Sequence, residues 1–473
     1  MCNEIAEDRR AHSVPGSGTS LVTNRKQLLD HGASRLRDAA LQIVEAAIER
    51  GDPAVGTLLK VRREGQLLRV DGCDYDLRRI GRILVIGAGK ASLPIAAALE
   101  SVLGDRIDGG VVVTKKGDAR RLSRIEVVEA GHPLPDAESL HGARRMLEIA
   151  ATAREGDLVF AAVTGGSSSL ASMPPAGVSL DDLQELHDLL LRCGEPIEII
   201  NVVRRHVCLV KGGRLVQVIQ PALAVTLTLD TAPEGMPWPD MCLPDPTTFA
   251  DAVQILRERG LWERTPDAIR AHLLDGIDRP DKETIKDFAG MNARIVFVGD
   301  PISACDAAAA KAAALGFEPM VLGTFIEGEA REVAITMAGV AREVVDRGRP
   351  IRPPCALISG GETTVTIAGP GGRGGPNQEF ALAFAVAMAR RGPYACACVD
   401  TDGTDGPTTI AGGLTDSSTL WRATKAGIDL REVLRRHASS DALESLGDAV
   451  ITGHTGTNLQ NIRAIVLGGP NDW

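Results

Sequence analysis

Short, continuous apolar runs alternate with longer stretches of helical period through most of the chain. The run 82–86 ends in Gly87-Ala88-Gly89-Lys90 and is followed by an alanine-rich helical stretch, 91–103. Strand-like runs recur at 110–114 and 125–128. After Pro135 a helix is predicted from the apolar stripe Leu140, Ala143, Leu147 and Ala150, closing near Gly156. The run 158–163 then enters Thr164-Gly165-Gly166-Ser167-Ser168-Ser169. Apolar runs without alternation, separated by helices, predict parallel strands buried on both faces.

From Asp181 the pattern is helical, and 207–228 carries the turn Lys211-Gly212-Gly213-Arg214 before another apolar strand. The stretch 231–246 reads as a loop, and 249–289 as charged helices. Further strands are expected at 295–298, 320–322, 356–359, 363–368, 395–399 and 464–467, and a long helix at 27–50. The fold class that follows is α/β: two α/β/α domains with largely parallel sheets. The expected division is a tail at 1–20, a Rossmann-like N-terminal domain at 21–255 and a C-terminal α/β domain at 256–473.

A length of 473 residues exceeds one ordinary core, which supports the two-domain reading. Aromatics are only 3% of the chain, which disfavours stacking platforms for bases. With net charge −10 and no long Lys/Arg run, neither nucleic acid nor a membrane surface is expected as a partner. A homo-oligomer stays open. Nine scattered cysteines, Cys396 and Cys398 among them, include no CxxC pair, so free buried thiols are expected instead of disulfides or zinc. The first residues carry no apolar leader, and the cytoplasm is the expected location.

Four glycine-rich turns follow apolar runs: 87–90, 164–169, 359–364 and 400–406. Glycine lets the backbone approach a phosphate, and amides at the next element offer it donors. The first turn departs from the dinucleotide fingerprint, since Ser92 stands where the third glycine belongs. The next strand ends in Thr114-Lys115-Lys116 instead of an acid. NAD is therefore disfavoured and NADP is open. Lys90 can reach an anion as a point charge. Arg204, Arg205 and His206, with Lys211 and Arg214 beyond, suit a carboxylate or a transferring phosphoryl group. His132 and His206 lack a sequence-fixed partner and are read as structural. Asp400-Thr401-Asp402-Gly403-Thr404-Asp405-Gly406 lacks the closing Glu of a calcium loop and better suits a Mg²⁺–phosphate complex.

Taken in order, several segments resemble the glycerate 2-kinase family, the DUF4147 plus MOFRL pair also labelled hydroxypyruvate reductase. They are Gly87-Ala88-Gly89-Lys90-Ala91, Gly131-His132-Pro133-Leu134-Pro135-Asp136, Asn201-Val202-Val203-Arg204-Arg205-His206 and Lys211-Gly212-Gly213-Arg214-Leu215. Further on stand Pro244-Asp245-Pro246-Thr247-Thr248-Phe249, Ser359-Gly360-Gly361-Glu362-Thr363-Thr364, Gly374-Gly375-Pro376-Asn377-Gln378-Glu379, the loop 401–407 and Thr455-Gly456-Thr457-Asn458.

The resemblance implies ATP, Mg²⁺ and D-glycerate, two α/β/α domains and a cleft between them. It supports Lys90 and Arg204 as catalytic and Asp402 and Asp405 as metal ligands, while Asp230 is a catalytic candidate, as general base, on residue type alone. Gly87, Gly89, Gly165, Gly166, Ser167, Ser168, Lys211, Arg214, Gly360, Gly361, Glu362 and Asn377 would hold substrate or phosphate. The chain departs from the family's S-D-V-x-G-D and S-G-P-T elements, having Leu229-Asp230-Thr231 and Trp238-Pro239-Asp240 there. That change leaves a larger sugar acid open as acceptor. An NADP-dependent hydroxypyruvate reductase and a non-catalytic ligand-binding homologue are the alternatives.

Overall fold

The computed structural model describes residues 20–117, 120–193, 195, 197–229, 241–367, 369, 371–389 and 391–469. Asp230 and the loop 230–240 lie outside the described residues. The chain forms two compact units, one from 53–298 and the other from the N-terminal segment up to Asp52 together with the chain from Gly299 onward.

The 53–298 unit is built on a six-stranded sheet of β1 (Ile83–Ala88), β2 (Ile107–Lys115), β3 (Glu126–Ala130), β4 (Leu158–Val163), β5 (Leu223–Leu229) and β6 (Ala293–Gly299). Their spatial order is β3-β2-β1-β4-β5-β6. The pairs β2/β3, β1/β2, β1/β4 and β4/β5 are all parallel. Every residue of β1 and β4 is buried, as their unbroken apolar sequences require. The strand order reverses between β1 and β4, and open parallel sheets collect ligands beyond the carboxyl ends of their strands at that point.

The helix after Pro135 runs Ala137–Ala150 and starts in a capping box between Asp136 and Ser139. Ala143 and Ala150 of its predicted stripe lie in the core with Ile86, Val113 and Ala161. A second core joins helices Leu180–Arg192, Ile197–His206, Phe249–Glu258 and Asp267–Asp278 through Leu186, Val203, Phe249 and Leu273. The expected division at 255/256 thus falls inside this unit, because the charged helices beyond it bury their apolar faces against 180–206. Three short antiparallel strands, Val61–Glu64, Leu67–Val70 and Cys73–Asp76, were not predicted; their charged outer positions disguise them.

The other unit carries β7 (Glu318–Gly323), β8 (Cys355–Gly361), β9 (Tyr394–Asp400), β10 (Gly412–Asp416), β11 (Ala449–Val450) and β12 (Asn461–Leu467). Their order is β7-β8-β12-β9-β10-β11. The α/β class holds, but largely parallel pairing does not extend to this sheet. Only β7/β8 is parallel, while β12 runs antiparallel to both its neighbours and β9/β10 and β10/β11 are antiparallel too. The expected strand 363–368 shortens to Thr363–Thr364. The expected helix 27–50 is two, Arg25–Leu29 and Ser34–Arg50, separated at Gly32, where a Cβ would lie 1.8 Å from Asp416 Oδ2. All described cysteines are free, and no described helix is long and apolar enough to cross a membrane.

Candidate active site

The turns that follow β1 and β4 are laced together at the reversal point. Thr164 N donates to Ala88 O at 3.0 Å, Lys90 N to Gly165 O at 2.8 Å, and Ala91 N to Thr164 Oγ1 at 3.0 Å. Gly89 sits at φ +141°, and a Cβ there would lie 2.2 Å from Thr164 Oγ1, so this approach admits only glycine. Gly87 backs onto Ala162 O in the same way, whereas the space around Gly165 is open. Gly166 lies against the His132 ring and the stem of Lys90, and Ser167 and Ser168 are buried just beyond it. Lys90 itself is exposed.

The basic helix Ile197–His206 divides its charges between two tasks, as neighbouring positions about 100° apart must. Arg205 turns to the fully buried Asp245, with Nη1 3.2 Å from Oδ1, and its Nε donates to Asn201 O. Asp245 also accepts from Thr247 N and Oγ1, so the Pro244-Asp245-Pro246-Thr247 motif anchors this helix. His206 donates from Nδ1 to Val202 O and packs edge-on against Phe249, the structural role expected of it.

Arg204, in contrast, is felt electrostatically by two imidazoles, His132 beside the glycine turn and His187. Burial, then the charges of Lys90, Lys115 and Arg204, hold the His132 imidazolium form below its ordinary range. Burial, then Arg204 and Lys211, push His187 much further down. Lys211 is wholly buried and donates from Nζ to Ser168 O at 3.1 Å. Lys90, Arg204 and Lys211 therefore gather with two uncharged imidazoles around the Thr164–Ser168 turn, an arrangement that favours an anion.

Arg214 does not join them. Its Nη1 donates to Arg205 O, Cys208 O and Lys211 O, and its Nη2 to Lys282 O at 2.9 Å. Those carbonyls make it a clamp on the chain, contrary to the expectation that it contacts phosphate.

In the other unit, β12 lies between β8 and β9 and sets Asn461 opposite Gly361 on one side and Asp400 on the other. Gly360, next to last in β8, lies beside Cys305 Sγ and Thr324 O. Gly361, at φ +116°, leaves no room for a Cβ, which would lie 2.2 Å from Ile326 N. Four carboxyl groups converge here. Packing around Glu362, with Asp405 and Asp402 nearby, raises its pKa against the opposing pull of Asn461 and Arg463. Burial, then Asp402, raise Asp400 well above the carboxylate range, and Glu362 and Asp405 add to the shift.

Asp402 accepts from Thr404 N at 2.8 Å and Thr404 Oγ1 at 2.7 Å. Asp405 is used differently from the metal ligand expected of it. Its two oxygens accept from Asn377 N, Asn377 Nδ2, Gln378 N and Gln378 Nε2 at 2.9–3.1 Å, where helix Pro376–Ala387 begins. Its lone pairs are thereby committed, and its charge faces the positive end of a helix dipole. Asn377 is likewise committed: Oδ1 accepts from Cys398 Sγ, and Nδ2 donates to Asp405 and to Asn461 Oδ1. Its side chain thereby ties Asp405, Cys398 and Asn461 together.

Arg463 is fully buried beneath this cluster, with Nη2 donating to Thr363 Oγ1 at 3.0 Å and its guanidinium over the Phe380 ring. No group of three or more His, Cys, Asp or Glu side chains among the described residues has the spacing of a metal site.

Sequence reasoning placed Asp400 in the acidic loop without singling it out as a ligand, and it missed Arg463, Gln378 and His187. Arg463 had a signal, a lone cation inside the apolar strand 461–467, which requires a buried partner. His187 had none, because only the packing of helix Leu180–Arg192 brings it to Arg204.

A parallel sheet with cations at its reversal point, joined in one chain to a sheet ending in clustered carboxylates, is the build of an α/β phosphotransferase. Residues 39–274 match the family described as a domain of unknown function, DUF4147, and residues 355–461 match the MOFRL family. A glycerate 2-kinase from Pyrococcus horikoshii is 39% identical over 91% of this chain and 97% of its own. A relative from Agrobacterium vitis, named a hydroxypyruvate reductase on assignment alone, is 37% identical over 94% of this chain and 99% of its own. The crystal structure of a glycerate kinase from Thermotoga maritima superposes with TM-score 0.80 at 35% identity, covering 91% of this chain and 99% of that one. The chain belongs to the glycerate 2-kinase family of phosphotransferases.

Proposed function

We propose that this protein transfers the γ-phosphoryl group of ATP to the 2-hydroxyl of D-glycerate or a closely related small hydroxy acid. The observation that carries this reading is the gathering of Lys90, Arg204 and Lys211 around the turn at the sheet's reversal point, in a chain 39% identical to a glycerate 2-kinase.

Phosphoryl transfer asks little covalent chemistry of a protein; positioning and neutralisation of charge supply most of the rate. Gly87, Gly89, Gly165 and Gly166 let a phosphate chain approach the backbone. Lys90, exposed at the end of its turn, follows the transferring group with a mobile full charge, and Arg204 holds a fixed one. His132, kept uncharged beside them, adds a hydrogen-bonding group without further positive charge. The oxygen-only donors Asp400 and Asp402 suit a hard cation that takes one or two protein carboxylates, and such a cation would offset the charge that Asp402 sets beside the buried Asp400. Held there, Mg²⁺ would supply the charge neutralisation that phosphoryl transfer requires. Asp405 and Asn377 serve as positioning residues for that cluster.

The test incubates the protein with Mg·ATP and D-glycerate and follows ADP release, with the phosphorylated carbon identified by phosphorus NMR. Expected is 2-phosphoglycerate. Oxidation of NADPH by hydroxypyruvate, with no ADP formed from ATP and any acid tried, would replace the kinase reading with the reductase one.

A further inference from the structure

Among the buried polar atoms of the 53–298 unit without a hydrogen-bond partner are Ser167 Oγ, Asn201 Oδ1 and His187 Nδ1. Their residues are 0%, 7% and 1% exposed. A buried polar group without a partner is costly, so each of these calls for an occupant.

Each is linked to Arg204 or Lys211. Ser167 adjoins Ser168, whose carbonyl receives the Lys211 ammonium. Asn201 precedes Arg204 by three positions on one helix, the spacing that puts two side chains on the same side. His187 feels the charges of both Arg204 and Lys211. Two cations that are themselves almost fully buried therefore stand among three neutral groups, each able to hydrogen-bond a hydroxyl.

A bare phosphate would be matched by cations and donors alone. Asn201 Oδ1, which can only accept, adds a place for a donor, and an O–H on the ligand would fill it. We propose that this set is the acceptor-acid pocket: Arg204 and Lys211 hold the carboxylate of a small hydroxy acid, while Ser167, Asn201 and His187 recognise its hydroxyl groups. The assignment deepens the phosphotransferase reading and rests on it for the identity of the acid. It makes Asn201 and His187 determinants of specificity, a role distinct from the charge stabilisation given to Lys90.

The experiment measures binding without nucleotide, by ligand-observed NMR, of D-glycerate, 3-hydroxypropionate and propionate. Wild type, Ser167→Ala, Asn201→Ala and His187→Gln are compared, with thermal midpoints recorded for each. Ser167→Ala removes one oxygen atom and keeps the fold, and Ser167→Thr restores a hydroxyl. Wild type is expected to bind glycerate most tightly and propionate least. Ser167→Ala and Asn201→Ala should each weaken glycerate at least about tenfold, leave propionate unchanged, and erase the preference for hydroxylated acids. Ser167→Thr should recover it.

Unaltered glycerate affinity in these variants would mean that water alone fills the region, and would overturn the assignment. Equal loss of glycerate and propionate would also overturn it, as would no glycerate binding by wild type. The two readings fail separately. Binding discrimination without ADP formation would sink the kinase and keep the pocket, and turnover with undiminished preference in the variants would sink only the pocket.

Discussion

Arg37 Nη2 lies 2.8 Å from Asp448 Oδ1, joining positions 411 apart in the chain with both side chains at zero exposure. The same guanidinium reaches Asp416 Oδ2 at 3.1 Å, and its Nε donates to Leu28 O at 2.7 Å. Asp448 is shared further with Arg422 Nη2 at 2.6 Å and His31 Nε2 at 2.9 Å. This network seats the N-terminal helices on the sheet formed by the C-terminal part of the chain. Burial would raise Asp416, but Arg37 and the donors of Ser418 and Ala33 outweigh it, and its carboxyl is held below the usual range.

Arg37→Met should therefore be strongly destabilising. It leaves Asp416 and Asp448 buried without their central cation, which in comparable settings costs about 3–5 kcal/mol. Urea denaturation followed by far-UV circular dichroism measures the loss. A change below about 1 kcal/mol, the range of exposed pairs, would show that the network contributes little.

Asp400→Asn should do the reverse at neutral pH. The folded chain holds the Asp400 proton to higher pH than the unfolded chain does. Stability contributed by that bound proton is present at low pH and falls as pH rises above the unfolded value near 3.8. Asparagine removes this penalty and can still accept from Asp402 N, as Asp400 Oδ1 does at 3.0 Å. The variant should melt higher than wild type at pH 7, with the advantage vanishing toward pH 4. It should also lose stabilisation by Mg·ATP. A lower midpoint at pH 7 would show that the carboxylate is satisfied as it stands.

Asp402→Asn and Asp405→Ala should separate two roles that the sequence places in one loop. Asp405→Ala strands four N–H groups at the start of helix Pro376–Ala387 and should cost about 2–4 kcal/mol. Asp402→Asn keeps an acceptor for Thr404 and should fold normally while requiring more Mg²⁺ for half-maximal rate. Thermal melts and Mg²⁺ titrations of both variants decide the matter, and equal behaviour in the two would refute the division.

The parallel sheet and its two glycine turns were legible because unbroken apolar runs such as 158–163 have one reading when helices separate them. The pairing in the unit that runs from Gly299 onward was not, since antiparallel and parallel strands buried on both faces look alike: 395–399 and 464–467 carry no mark of direction. Nor could the sequence divide labour between adjacent charges. Arg204 and Arg205, or Asp402 and Asp405, differ only in which partner their element turns them to. Arg214 and Asn377 carried the right chemistry for phosphate or substrate, but nearby backbone and side-chain groups engage them. The Arg37 network was beyond reach, because nothing local pairs position 37 with 416 and 448.

Lys90→Met bears most directly on the proposed chemistry. Lys90 closes the Gly87-Ala88-Gly89 turn with its amide bound to Gly165 O, so the backbone is fixed whatever the side chain does. The side chain is exposed, its stem passing Gly166 near the His132 ring. Methionine keeps most of that stem and loses the charge, so the thermal midpoint should stay within about 1 °C of wild type. A mobile ammonium that tracks the moving phosphoryl group matters more in the transition state than for bound ATP. The variant should accordingly lose about two to three decades in kcat, or about 3–4 kcal/mol, with a smaller rise in KM for ATP. Removing a charge that lowers the His132 pKa should also let that imidazole protonate at higher pH, visible in its NMR titration. Near wild-type kcat with a shifted His132 titration would leave Lys90 beside the site without a part in the transfer.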